Sequence, residues 1–193
     1  MPRPRAFDRT QALERALSVF WEKGYDATSM QELVDAMGMN RGSIYNAFTD
    51  KHTLFLQVLD YYTETYWLQR LREETIDQPL YETLTLIVDD ILAIDRDRDH
   101  PAGCLVTNTA CELALRDIDI ANKIDGLLSD LEAILRQRLE WAMQKGEIKS
   151  HPDAQTLAHY LLIVFQGLMV LTRTGASRHH LHHSMQLALA TVF

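Results

Sequence analysis

Cysteine, proline and glycine are scarce in this chain, at 2, 5 and 8 of 193 residues. Two cysteines cannot build a disulfide scaffold, and they fit a reducing compartment in which thiols stay free. With 47% hydrophobic and 24% charged residues, collagen-like and disordered classes are excluded as well. Long apolar runs are missing. The most apolar stretch, 160–171, is interrupted by Gln166 and Gly167 and falls short of the roughly 20 residues a membrane span needs. Residues 1–7 hold no basic segment followed by an apolar one, so a cytoplasmic location without membrane attachment is expected. Motifs of common enzyme chemistry are absent too: no His-Glu-x-x-His, no phosphate loop ending in Gly-Lys-Ser/Thr, no Gly-x-Ser-x-Gly, and no paired Glu-x-x-His. The expectation is a protein that is not an enzyme and carries no cofactor.

Positive charge is also in the minority, with 19 Lys and Arg against 27 Asp and Glu for a net of −8. That sum disfavours a polyanionic partner until it is divided along the chain. Residues 1–53 hold seven basic and seven acidic side chains, so the entire −8 lies beyond them. A neutral leading segment with a few well-placed cations can approach phosphate, while an acidic body restricts how it docks.

What is present is helical periodicity. Apolar residues recur at three and four, and no segment reads as a strand, which predicts an all-α fold. Asp8 is placed to cap a first helix, with Gln11 reaching back and Ala12, Leu13, Ala16, Leu17 and Phe20 as its buried stripe. Gly24 is expected to end it in a left-handed conformation. Thr28 to Gln31 reads as a capping box for a helix of about ten residues containing Leu33, Val34 and Met37 and stopped by Gly38. Asn40 then caps a helix over 41–48, with Ile44 and Phe48 inward and Arg41, Ser43, Tyr45 and Asn46 outward. Asp50 caps a long helix beginning at Lys51 and reaching toward residue 75. Further helices are expected near 79–95, 103–115, 118–145, 153–174 and 178–192, with the charged run 95–100 as a solvated loop.

Two short helices joined by a Gly-containing turn, the second polar on its outer side, form a helix-turn-helix, whose second helix presents its N-terminal residues to the DNA major groove. Arg41 can offer a bidentate guanidinium to guanine, and Gly42 lets the backbone come close. Ser43, Tyr45 and Asn46 lie along the same face. Thr28 and Ser29 at one helix start, and Lys51 and His52 at another, suit phosphate contacts, and Arg3 and Arg5 add cations on the leading segment. Each of these residues alone is as well explained by an ordinary cap or surface charge. Their placement around one turn is not.

Residues 8–56, through Ala16-Leu17-Ser18-Val19-Phe20, Gly24-Tyr25, Thr28-Ser29-Met30, the run from Gly38 to Phe48, and Lys51, resemble the DNA-binding domain of TetR/AcrR-family regulators. Arg41 to Phe48 follows that family's recognition-helix pattern, except that Asn46 stands where many members carry His. The resemblance implies a three-helix DNA-binding head over 1–53 and a helical ligand-binding and dimerisation body over 54–193. Pro101 to Asn108 is similar to a Gly-Cys-Leu segment of one branch of the family. The function implied is a one-component regulator, a repressor released from a pseudo-palindromic operator on double-stranded DNA by a small-molecule or electrophile inducer. A helical protein adaptor and a helical-bundle enzyme are the alternatives.

In the body, Leu157, Leu161, Val164, Leu168 and Leu171 draw a heptad-like seam, and Leu181, Met185 and Val192 a second one, which together suggest a four-helix homodimer interface. Ala158, Leu162, Phe165 and Met169 form a neighbouring stripe. Cys104, near an expected helix start, is a candidate reactive thiol, with Cys111 on the same face if the segment is helical. Both also suit small buried apolar positions. Tyr62, Tyr66, Trp67, His100, Asn108, Trp141, His159, Phe165 and Met169 are the candidates for lining a ligand pocket, core packing being the competing explanation for most. His179, His180, His182 and His183 include an i, i+4 pair able to hold a metal. Lacking a nearby Cys or matched carboxylate, they read as a solvated helix end, and no metal is expected.

Overall fold

A computed structural model describes residues 8–68, 71, 78–94, 101–149 and 152–193. Arg3, Arg5 and the run 95–100 with His100 lie outside the described residues. All regular structure among the described residues is helical. The chain divides into two compact units, one ending at Tyr62 and the other running from Thr63 to Phe193.

The first unit holds α1 (Arg9–Lys23), α2 (Met30–Met37), α3 (Arg41–Phe48) and α4 (Lys51–Tyr62). Helices this short are marginal alone, so their stability comes from packing. The core is Leu17, Phe20, Leu33, Ile44, Phe48, Leu54, Phe55, Val58 and Leu59, each at most 2% exposed. Phe55 is its aromatic centre, with ring centroids 4.7 Å from Phe20 and 4.9 Å from Tyr25. Trp21 is buried against Tyr62 at 4.9 Å, whereas Leu13 of the expected stripe is only half-buried. The boundary expected after residue 53 falls inside α4. This helix buries Leu54, Phe55, Val58, Leu59 and Tyr62 in the first unit and packs on α1, which carries the division to Tyr62.

Local chemistry sets where these helices begin and end. Asp8 accepts from the Gln11 N–H at 3.2 Å, Asn40 from Ser43 at 2.8 Å and Asp50 from Thr53 at 2.7 Å, each satisfying a donor that the helix leaves open. Gly38 takes the left-handed conformation, at φ +63° and ψ 31°. Gly24 does not: its φ is +83° but its ψ is 173°, an extended turn that still donates its N–H to Phe20. The capping box of α2 sits one residue later than expected. Ser29, not Thr28, receives the backbone N–H, from Glu32 at 3.2 Å, and Glu32, not Gln31, reaches back to Ser29 N at 2.8 Å. Thr28 is 1% exposed and donates its hydroxyl to the Gly24 carbonyl at 2.6 Å.

Between α3 and α4 the chain turns on Thr49, at φ +69° and ψ −59°, with Asp50 N donating to the Phe48 carbonyl at 2.8 Å. That is a three-residue turn which a β-branched side chain adopts only under strain. Instead of continuing as α-helix toward residue 75, α4 widens after Tyr62 into a π-helical segment, Thr63–Leu68.

The second unit contains α5 (Leu80–Ile94), α6 (Leu105–Leu113), α7 (Ile118–Gln144), α8 (Ala154–Thr172) and α9 (Arg178–Val192), within two residues of the expected bounds. The long α7 packs along α8, α9 packs on α5 and α8, and α6 packs on both α7 and α8. At 19 residues α8 is long and apolar enough, by length and composition, to cross a membrane, although 160–171 alone is not. In this fold Leu157, Ala158, Leu161, Leu162, Phe165, Leu168 and Met169 of α8 are buried, making it a core helix of the bundle.

That burial corrects the expected dimer seam. Leu157, Leu161, Leu168, Leu181, Met185 and Val192 are at most 7% exposed inside the single chain, and Val164 is half-buried. Of the seam only Leu171 is exposed, at 45%. Heptad spacing marks an apolar face without saying which neighbour covers it, and here α5, α6 and α7 lie within the same chain to do so.

Candidate nucleic-acid interface

The outward face of α3 follows from its inward one. Ile44 and Phe48, four apart and at most 1% exposed, fix the rotation of the helix on the unit's core. Arg41, Gly42, Tyr45 and Asn46 then fall on the exposed side, with Ser43 half-buried. The Arg41 guanidinium carbon lies 5.9 Å from the Tyr45 ring centroid, a cation–π pair that holds the arginine along the helix surface. A Cβ on Gly42 would meet nothing nearer than Asn40 Oδ1 at 3.5 Å, an ordinary contact. Packing within the chain therefore does not demand glycine there.

Side chains from other helices steady the motif. Arg15 Nη1 donates to the Met37 carbonyl at 3.3 Å, bracing the end of α2 where it enters the Gly38 turn. Arg9 stands over the Phe48 ring at 5.0 Å and donates to Gln57 Oε1 at 2.5 Å, tying together α1, the end of α3 and α4.

At the start of α2 the expected phosphate contacts are only partly available. Thr28 is buried with its hydroxyl engaged, so it does not belong to an accessible surface. Ser29 is exposed, but its hydroxyl donates to Glu32 Oε2 at 2.8 Å, and Glu32 is also hydrogen-bonded to Lys23. The Lys23 ammonium first, then the backbone and hydroxyl of Ser29, hold the Glu32 carboxyl down to about 2, and the same pairing raises the Lys23 ammonium. A phosphate approaching this helix start meets a carboxylate of the chain itself. Neither Lys23 nor Glu32 was singled out from sequence, although the Ser-x-x-Glu spacing from Ser29 to Glu32 is a legible signal. At α4, Lys51 Nζ lies 4.3 Å above the Tyr25 ring and the half-buried His52 meets the same ring at 6.4 Å. Both stand within one turn of the N-terminus that Asp50 caps; the Thr53 backbone N–H is the leading cause that keeps the Asp50 carboxyl below its ordinary range.

The candidates for ligand sensing do not converge. Tyr62 is 2% exposed and belongs to the core of the first unit, and His159 is exposed, with Nδ1 3.4 Å from Glu132 Oε2. Tyr66 is half-buried on the π-helical segment, and the side chain of Trp67 lies outside the described residues. Phe165 does line a cleft, with Leu71, Leu84, Ile87, Leu131, Leu135 and Leu162, which encloses about 260 Å³ including its open mouth. Its lining is wholly apolar. Cys104 is 3% exposed at the N-cap of α6, whereas Cys111 is exposed, so the two thiols differ in access to solvent. Asn108 is part-buried one turn further on, its N–H donating to the Cys104 carbonyl at 2.9 Å.

A short capped helix anchored by two apolar residues, reached through a left-handed glycine and showing a cationic polar face, defines a helix-turn-helix regulator of transcription. Residues 12–58 match the model of the bacterial regulatory proteins of the tetR family, and residues 81–188 match the tetracyclin repressor-like C-terminal domain. The HTH-type transcriptional repressor ComR of Escherichia coli K12 is 34% identical, over 98% of this chain and 90% of its own length. A cysteine mutant of the TetR-family regulator CifR, complexed with 26-base-pair double-strand operator DNA, matches over 100% of both chains at 27% identity and a TM-score of 0.84. The regulatory protein TetR from Rhodobacter sphaeroides gives a TM-score of 0.84 over 97% of this chain and 100% of its own at 21% identity, a likeness of fold. The chain belongs to the TetR family of transcriptional regulators.

Proposed function

We propose that the protein is a homodimeric repressor that holds a pseudo-palindromic operator through α3 and is released by an inducer bound in its second unit. The observation that carries this reading is the exposed face of Arg41, Gly42, Tyr45 and Asn46 over the fully buried Ile44 and Phe48. Arg41 reads guanine, Gly42 admits the DNA backbone, and Ser43, Tyr45, Asn46, Lys51 and His52 supply further base and phosphate contacts. Ser29 contributes only by sharing its helix start with Glu32. The protein works where the chromosome is, in the cytoplasm, and no catalytic role belongs to the reading.

A head of this size binds one half-site weakly, so two copies are required. The dimer face is an apolar surface exposed on α8 and α9: Ile163 at 60%, Val170 at 46% and Leu171 at 45% on α8, and Leu187 at 71% on α9. Gly167 lies among the α8 residues with open space where a Cβ would be, which lets a partner helix approach closely.

The inducer must favour a conformation that does not bind DNA, because equal affinity for both states shifts nothing. The apolar cleft at Phe165 is open to solvent and lined only by aliphatic and aromatic side chains, so it suits an apolar ligand. A small apolar inducer that widens it selects a different packing of α5, α7 and α8. A thiol-reactive inducer meets Cys111 first, since Cys104 is buried.

The test is a footprint on the DNA upstream of the protein's own gene, with and without a thiol-reactive electrophile, for the native chain, Cys104→Ser and Cys111→Ser. Protection of a short pseudo-palindrome supports the repressor reading. Release by electrophile that is lost in one variant assigns the effect to that thiol, protection of the native chain that persists with electrophile points to a non-covalent inducer, and absence of protection at low salt on own-gene and genome-wide DNA overturns the reading.

A further inference from the structure

Four histidines crowd the first two turns of α9, and none of them is among the residues proposed to contact the operator. The fold brings a carboxylate to one of them, His182. Asp89 of α5 puts Oδ1 3.1 Å from His182 Nε2. With Arg178 Nη1 donating to the Leu92 carbonyl, this pair pins the start of α9 onto α5.

On that fixed turn, His179 and His183 are neighbours, one helical turn apart, with ring centroids 4.1 Å from each other and planes inclined at 63°. Both side chains are exposed. His183 Nδ1 is 2.9 Å from the His179 carbonyl oxygen. A carbonyl only accepts, so Nδ1 carries the proton and donates, and the lone pair of the neutral ring is on Nε2. A hydrogen bond from one ring nitrogen that fixes the tautomer and turns the other into a ligand is the usual outer arrangement of a metal-bound imidazole.

We propose that His179 and His183 form a binding site for one divalent transition-metal ion of the zinc or nickel type, with water completing its coordination. Imidazole nitrogen suits these borderline ions, whereas magnesium and calcium prefer oxygen ligands. The i, i+4 spacing sets both rings on one side of the helix, and the Asp89–His182 and Arg178–Leu92 contacts keep that side ordered before the ion arrives. His180, 5.9 Å from the His179 ring and a third of a turn around the helix, is outside the pair.

The experiment is calorimetric titration of untagged protein with zinc chloride, repeated with nickel and with magnesium. The expected result is saturable binding of one zinc or nickel ion per chain and none of magnesium. His179→Ala and His183→Ala should each weaken it by about tenfold or more, while His180→Ala keeps it. Should His183→Ala fail to fold, His183→Gln preserves the size of the side chain and gives the same reading. Absence of saturable zinc or nickel binding, retention of full affinity in both pair variants, or loss in His180→Ala would overturn the assignment.

Discussion

Ile44 and Phe48 determine what α3 shows to the outside, and each exposed residue on that face then has a separate job. Gly42 separates the needs of the fold from those of DNA. A Cβ there makes only ordinary contact with Asn40, and alanine is the better helix former by about 1 kcal/mol. Gly42→Ala should therefore keep or raise the thermal midpoint while weakening operator binding, as read by calorimetry beside fluorescence anisotropy. A loss of stability with full affinity would show that the glycine serves the fold. On the proposed reading, Arg41 supplies specificity and Lys51 attraction. Arg41→Ala should cost about 1 to 3 kcal/mol on the native operator and relax preference at one base position. Lys51→Ala should weaken all sequences alike and lower the slope of log affinity against log salt by about one. Titrations on the operator and on single-base variants at several salt concentrations distinguish the two.

At the scale of the element, the start of α2 carries a Lys23–Glu32 ion pair. The Glu32 carboxyl sits at about 2 when folded, below its ordinary 4.5, chiefly through Lys23. A depressed carboxyl stabilises the folded state fully above the unfolded value, and that contribution disappears as pH falls from about 4.5 through about 2. The native protein should accordingly exceed Glu32→Gln in thermal midpoint near neutral pH, and the difference should shrink across that window. A difference that stayed constant in acid would mean the carboxylate charge is not what matters. The Thr49 turn has no comparable sequence signal, because threonine is a poor choice for a positive φ; what holds it there is the closure of α3 onto α4 by Asp50 and the buried Phe48.

For the whole molecule, the exposed apolar residues matter more than the buried ones. Ile163, Val170, Leu171 and Leu187 break the polar surface of the second unit on the two helices that the family resemblance implicates in pairing. Ile163→Arg removes none of the chain's own core. It should leave the helical circular dichroism intact, convert dimer to monomer in sedimentation, and reduce operator affinity by the loss of the second half-site. A dimer that persists would place the interface elsewhere. The acidic excess beyond residue 53 adds a reason for the division of labour, since the body gains nothing by approaching phosphate.

The helices, most of their caps and the outward face of α3 were legible in the sequence because each rests on local rules. Periodicity assigned the helices, Asp8, Asn40 and Asp50 capped where side-chain oxygens must, and Gly38 turned where only glycine turns freely. The face of α3 was legible for the same reason, its two anchors being four residues apart. Competition between neighbours was not. Thr28 and Ser29 suit an N-cap equally, and the hydroxyl that lost the role was drawn to the Gly24 carbonyl in the interior. Nor can spacing tell which partner covers an apolar stripe: only the packing of α5 to α9 assigned Leu157, Leu161 and Leu168 to the chain's own core and left Ile163 and Val170 in the open. Asp89 and His182 lie 93 residues apart, and Cys104 and Cys111 only seven, yet the distant pair meets and the near pair does not. Sequence determined the local conformations, whose energies depend on a few adjacent residues. Tertiary structure decided burial and partnership, because those depend on which surfaces the whole chain can bring together.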